Sequence, residues 1–131
     1  MIQLKTFLKA TDKTAIVKVY CIKVIKSIKN RIAILGDIII ICVNSINLKF
    51  FIQLKPRFQK RFFVGSMHRA LIVRNKVNIT RIGGINLKFG ENSIVIINKQ
   101  VVPLSNRVYG PLLREFCMRW PSLGCVSTII V

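Results

Sequence analysis

Ile16-Val17-Lys18-Val19-Tyr20-Cys21-Ile22-Lys23-Val24-Ile25 is the stretch on which the fold turns. Its β-branched residues and alternation read as a strand, with Lys18 and Lys23 facing away from a core. The same pattern recurs outward along the chain. Gly36-Asp37 breaks it before Ile38 to Val43, a short and fully apolar strand. Arg69 to Arg74 encloses Ala70-Leu71-Ile72-Val73, another such run. Gly83-Gly84 makes a hairpin-like turn into Leu87 to Phe89, and Gly90-Glu91-Asn92 turns again into Ser93 to Asn98. About five short strands at this spacing predict a small β-barrel.

The character changes after Pro103. Gly110-Pro111 is expected to start a helix, with Pro at the first helical position. Leu112, Leu113, Phe116 and Trp120 recur at helical spacing and are assigned to core or to a protein neighbour. Pro121 is expected to stop that helix. The tail at 122–130 fits a second short helix, but Ser127-Thr128-Ile129-Ile130-Val131 fits a strand equally well. The expected organisation is one domain over 1–131. It comprises a barrel over 1–102, interrupted near 44–62, and a helical C-terminal extension over 103–131.

The interruption is the odd segment. Between Asn44 and Phe63, Lys49, Lys55, Arg57, Lys60 and Arg61 interleave with Phe50, Phe51, Phe58, Phe62 and Phe63. Three readings stay open. It is an arm laid on RNA, with cations on phosphates and rings against bases. It is a basic, partly buried hairpin. Or it is an amphipathic segment for a membrane surface.

Composition narrows the function. Lys and Arg number 22 against 4 Asp and Glu, a net charge of +18 on 131 residues. Yet 52% of residues are apolar and mean hydropathy is +0.50, which excludes a solvated disordered tail. So much positive charge points to a polyanion: nucleic acid first, an anionic membrane second. Few carboxylates leave little scope for acid–base chemistry. The longest apolar stretch falls far short of the ~20 residues of a membrane span. Lys5 and Lys9 interrupt what would be the apolar core of a secretory signal, and the N-terminus is not Arg- and Ser-rich as a transit peptide is. The chain is therefore expected to stay where it is made, or to enter its compartment without a cleavable address. The 22 Ile, 13 Lys, 9 Asn and 8 Phe favour A/U-rich codons, as in organellar or endosymbiont genomes. Two short echoes, Ile-Asn-Leu-Lys-Phe at 46–50 and 85–89 and Ile-Gln-Leu-Lys at 2–5 and 52–55, disagree in offset and define no repeat.

Cys21, Cys42, Cys117 and Cys125 lack the paired spacing of a zinc site, and His68 stands apart from them. They read as small buried hydrophobes in a reducing compartment, and His68 as an exposed or phosphate-facing side chain. No metal or cofactor site is expected. Cys21, His68 and Asp37 form a nucleophile triad only on paper, since no local catalytic signature surrounds any of them. The chain is not expected to be an enzyme.

Three stretches, in order, resemble the bacterial-type large-subunit ribosomal protein L fourteen family. The first runs through Met1-Ile2-Gln3, Thr6, Leu8 and Asp12 to Cys21-Ile22-Lys23-Val24, Ala33 and Gly36-Asp37-Ile38. The second is Ala70-Leu71-Ile72-Val73-Arg74, then Gly84, Phe89, Asn92 and Val95-Ile96-Ile97-Asn98. The third, Pro103 to Glu115, looks like the family's Pro-x-Gly-Thr-Arg-Ile/Val-x-Gly-Pro-Val-x-Arg-Glu-Leu run. There are departures. Where the family has Asn-Ser-Gly-Ala after Asp12, this chain has Lys13-Thr14-Ala15-Ile16, so that turn is expected to differ. One of two adjacent basic residues is lost at Val17 while Lys18 remains, and Gly83 replaces a polar turn residue. The chain also resembles a version lengthened by about ten residues between Val43 and Arg57, and it diverges after Arg119.

The resemblance implies a five-stranded β-barrel followed by one or two short C-terminal helices. It implies binding of large-subunit rRNA and contact with small-subunit rRNA as an intersubunit bridge. It also implies neighbours among the large-subunit proteins numbered three and nineteen, and no membrane. Lys18, Lys23, Arg69, Arg74, Arg81, Arg107 and Arg114 are the expected rRNA contacts, with Lys49, Lys55, Arg57, Lys60 and Arg61 as a further RNA- or bridge-contacting arm. Codon bias, insertion and divergence together favour a mitochondrial ribosome, with a reduced plastid or an endosymbiont cytoplasm as alternatives.

Overall fold

The computed structural model describes residues 1–25 and 32–131. Along the chain run β1 (Phe7–Ala10), β2 (Ile16–Val24), β3 (Ile38–Ile46), α1 (Leu48–Gln53), α2 (Pro56–Gln59) and β4 (Met67–Arg74). Then come β5 (Ile79–Thr80), β6 (Asn86–Leu87), β7 (Ser93–Ile97), β8 (Val108–Leu112), α3 (Arg114–Arg119), α4 (Pro121–Val126) and β9 (Ser127–Ile130). Five strands close a barrel in the order β1-β2-β3-β4-β7. Within the barrel every pairing is antiparallel except β1 with β7, which is parallel. The expected mainly-β barrel with short C-terminal helices is the architecture found.

Strand β2 shows how the barrel wall is made. Lys18 and Lys23 lie five apart, so strict alternation would send them to opposite faces. Both are exposed, because β2 carries register shifts beside Lys18 and between Cys21 and Lys23. Each bulge resets the alternation, so Ile16, Val19, Cys21 and Val24 all point inward. They meet Leu8, Ile39, Ile41, Val43, Ala70, Ile72, Ile94 and Ile96 in the barrel interior.

Strands β4 and β7 read as unbroken apolar runs because they are covered on both sides. Their inward residues fill the barrel. Their outward residues Leu71, Val73, Val95 and Ile97 build a second core with Leu112, Leu113, Phe116 and Leu123. This outer core holds the C-terminal segment against the barrel. The β5–β6 hairpin joins it through Ile79 and Leu87 and turns at Gly84, whose φ is +77°.

The expected helix start at Gly110-Pro111 is corrected. Both residues belong to strand β8, and the helix begins at Arg114. Gly110 has φ +85°, outside helical backbone, and a Cβ there would collide with the Arg74 guanidinium. Pro111 is tolerated because β8 lies in a two-stranded sheet with β9, and its other backbone ties, to Thr11 and Asp12, fall at Val108 and Tyr109. The helical spacing of Leu113, Phe116 and Trp120 is real but starts three residues later. Pro121 ends α3 and is also the first residue of α4. The tail combines both readings offered for it: a helical turn, then β9 laid parallel to β8.

The 44–62 segment is partly buried, but helical where a hairpin was one reading. β3 extends to Ile46, and the Asn47 side chain caps α1 by accepting the Lys49 N–H at 3.1 Å. The Gln59 amide donates to the carbonyls of Phe51, Ile52 and Leu54, fixing the α1–α2 corner. Phe62 is 1% exposed and plugs the barrel end, with Phe58 stacked on it.

Candidate nucleic-acid interface

The outer wall of β1 to β4 is banded. Cross-strand partners share a face, so register places side chains in rows. One row is Lys9–Lys18–Ser45 and the next is Phe7–Tyr20–Cys42–Met67. A further row is Lys23–Ile40–Arg69, with two strand spacings, about 10 Å, between the cations. Phe7, at 65% exposure, and Met67, at 66%, offer apolar surface between two cationic rows. Phe7 meets Tyr20 edge to face with ring centroids 6.3 Å apart. Lys18, Lys23 and Arg69, expected at RNA, are therefore brought together on one exposed surface. Lys9 and the aromatic row between the cations were not singled out in the sequence. Phe7 alternates with buried Leu8, but alternation does not say what lies across the next strand.

The other expected contacts separate into groups. Arg107 is exposed on the loop before β8, and its carbonyl accepts the Lys13 N–H at 3.2 Å. That bond brings Lys13 beside Arg107, across a cleft from Lys55. Arg114 is exposed at the start of α3. Arg81 is half-buried; its Nε lies 2.7 Å from a Glu115 carboxylate oxygen, and its Nη2 donates to the Val131 carbonyl at 2.6 Å. Lys49, Lys55, Arg57, Lys60 and Arg61 are all exposed on the α1–α2 segment. Its rings divide: Phe58 and Phe62 face the barrel, while Phe50 and Phe63 are about half exposed.

Arg74 is placed differently from the expectation. Its side chain is 5% exposed and turned inward. It donates to Glu91 at 2.8 Å, to Ser93 Oγ at 3.2 Å and to the carbonyls of Tyr109 and Pro111 at 3.0 and 3.3 Å. This guanidinium ties β4 to β8 and is committed to internal partners. His68 is half-buried, not open to solvent. Its Nε2 sits 2.9 Å from Ser66 Oγ and 3.0 Å from the Arg61 carbonyl, and its ring packs on Phe62. Burial holds its pKa below the ordinary value, and the nearby Arg61 charge adds to this against the hydrogen bond to Arg61's backbone. Cys21 and Cys42 are buried in the wall, as expected of small hydrophobes, whereas Cys125 is exposed. The paper triad does not assemble. Ile41 separates Cys21 from His68 in the cross-strand register, and Asp37 accepts the Ile34 N–H in its own turn.

The carboxylates are engaged by partners within the chain. Asp12 is buried, and burial pushes its pKa up to about 6 despite hydrogen bonds from Thr14 and the Ile96 N–H. Burial alone would raise Glu91. Hydrogen bonds from Lys9 and Ser93, with the charges of Arg74 and Lys9, outweigh it and hold that carboxyl below its usual range. The hydrogen bond from Arg81 lowers Glu115. Glu91 and Glu115 are partly exposed but paired with Lys9, Arg74 and Arg81, and the net charge is +18, an arrangement suited to phosphate backbones. Among the described residues no helix is long and apolar enough to cross a membrane.

A family model described as Ribosomal protein L14p/L23e matches residues 1–131, the whole length of the chain. This family is one of structural proteins of the large ribosomal subunit that bind rRNA and ribosomal neighbours, and it is not a family of enzymes. The closed barrel, the outward cations and the full-length match agree: the chain belongs to the L14p/L23e family of large-subunit ribosomal proteins.

Proposed function

We propose that this structural protein of the large subunit holds rRNA on the banded wall of β1 to β4. Lys18, Lys23 and Arg69 contact phosphates there, and Arg107 and Arg114 extend the contact around the molecule. The observation that carries the reading is the distribution of charge: exposed cations flank an apolar row, while the few carboxylates are each held by partners within the chain, Glu91 and Glu115 by Lys9, Arg74 and Arg81. The work is assembly and positioning. Phosphate neutralisation releases counterions, so affinity falls steeply with salt. Arg forks add bidentate bridging that Lys cannot supply.

The family resemblance extends the reading to small-subunit rRNA across the subunit interface and to the large-subunit proteins numbered three and nineteen as neighbours. The A/U-rich residue usage and the 44–62 insertion support a mitochondrial ribosome. A sucrose gradient of organelle lysate tests all of this at once. The protein is expected to travel with large subunits and monosomes and to leave both after RNase. With purified protein and large-subunit rRNA, Lys23→Ala and Arg69→Ala should each shallow the log–log salt slope by about one. Flotation with anionic vesicles after nuclease treatment, together with indifference to RNA, overturns the reading. The exposed Leu48, Phe50 and Ile52 on α1 would then be the lipid contacts.

A further inference from the structure

The α1–α2 insertion and the loop before β8 enclose a cleft of about 530 Å³, within the size range of small-ligand sites. Its two sides differ in chemistry. One is aromatic: Phe58 lines the cleft, and its ring lies parallel to that of Phe62, 6.0 Å between centroids and 3° between planes. Because Phe62 is locked in the barrel end, Phe58 is a platform of fixed orientation. The other side is cationic. Lys13 and Arg107 stand there together, Lys55 faces them from the start of α2 on the aromatic side, all three are exposed, and no carboxylate lines the cleft among the described residues. Gln53 and Asn106 also line it, residues whose carboxamides carry donors and acceptors of the kind that match a base edge.

Both sides are braced before anything binds. Lys13 N–H donates to the Arg107 carbonyl, and Leu104 N–H to the Ile96 carbonyl at 3.1 Å. Opposite, Gln59 ties the α1–α2 corner, and Asn47 N–H reaches the Ala15 carbonyl at 2.7 Å. Preorganisation of this kind lowers the ordering cost of binding.

We propose that this cleft receives a single unstacked nucleotide of an RNA strand, its base against Phe58 and its flanking phosphates between Lys55, Arg107 and Lys13. A ring platform facing clustered cations is the chemistry by which single-stranded nucleic acid is held. The proposal rests on the RNA-binding reading above but adds a specific pocket, built by the insertion, to a surface otherwise made of phosphate contacts.

The probe is a single-stranded oligoribonucleotide of about ten nucleotides, near the size of known single-strand sites, with one 5-iodouridine. It is bound to the full chain, irradiated, and the adduct mapped by mass spectrometry. The adduct is expected within 53–62 or 104–107, centred on Phe58. Phe58→Leu is expected to weaken binding about five-fold with the salt slope unchanged, whereas Arg107→Gln shallows the slope. If Phe58→Leu fails to fold, the exposed Lys55→Gln serves instead and should lower the adduct yield and shallow the slope by about one. Adducts confined to the β1–β4 wall overturn the cleft. So does failure to bind the oligonucleotide while large-subunit rRNA is still bound, or equal affinity for free uridine monophosphate. Failure to bind either RNA overturns the reading beneath it.

Discussion

Within β4 the Arg74 guanidinium spans an acid, a hydroxyl and two carbonyls, and only a planar fork of donors reaches them together. Arg74→Lys should therefore lower unfolding free energy by about 1–3 kcal/mol, since buried acceptors are left unpaired. Urea unfolding measures this, and the salt slope of rRNA binding should not move. An altered slope with unaltered stability would return Arg74 to the RNA surface. Ala15 is a second case. Its φ of +68° is left-handed, and it stands where the family pattern has Gly. Removing the Cβ relieves a strain of about 1 kcal/mol, partly offset by the greater freedom of Gly in the unfolded chain. Ala15→Gly is expected to raise the melting temperature by a few degrees.

The insertion divides energetically between its helices and its plug. Phe62 is the large side chain that closes the barrel end, so Phe62→Ala should cost about 3–5 kcal/mol. Helix α1 has no buried residue. Deleting 48–53 with a short Gly-Ser join should leave a cooperative unfolding transition with most of its amplitude, read by circular dichroism. Loss of the transition would mean that the insertion is part of the barrel's own core. These elements also show what could be read in advance. Strands β2, β3, β4 and β7 were legible because β-branched runs bounded by Gly turns have few other solutions. The helix start was misplaced because Gly110-Pro111 has the local chemistry of an N-terminus. What makes it a strand is Arg74, 35 residues away from Tyr109, whose carbonyl it holds. The phenylalanines of 50–63 looked equivalent in sequence. Only the closed barrel end separates Phe62 from Phe63. The cations of the wall were legible singly, but their rows depend on β-bulges that no local pattern announces.

At the scale of the whole molecule, pH acts through opposed groups. Asp12 has a carboxyl raised from 3.8 to about 6 by burial, so the fold favours its protonated form. That contribution is complete below 3.8 and is lost as pH rises through about 6, a swing of roughly 3 kcal/mol at most. His68, held low, acts oppositely and weakens its tie to the 61–66 segment as pH falls below 6.5. Glu91 and Glu115, also held low, lose their contributions as pH falls through the acid range below 4.5. Comparing the chain with Asp12→Asn isolates the first effect. The difference in melting temperature, parent minus variant, should decline between pH 5 and pH 7.5. A flat difference would show that Asp12 ionises without hindrance.

The parallel pairing of β1 with β7 also has a consequence in time. Thr11 and Ile94, which hydrogen-bond just beyond the end of β1, are 83 residues apart. At about 5–20 residues per second of synthesis, the first strand waits roughly 4–17 s before its closing partner exists. Through that interval the hairpin β3–β4 can form from neighbouring sequence, whereas the barrel is an open sheet with two unsatisfied edges. The lysines along β1 and β2 then hold growing chains apart by repulsion, before any RNA is there to meet them.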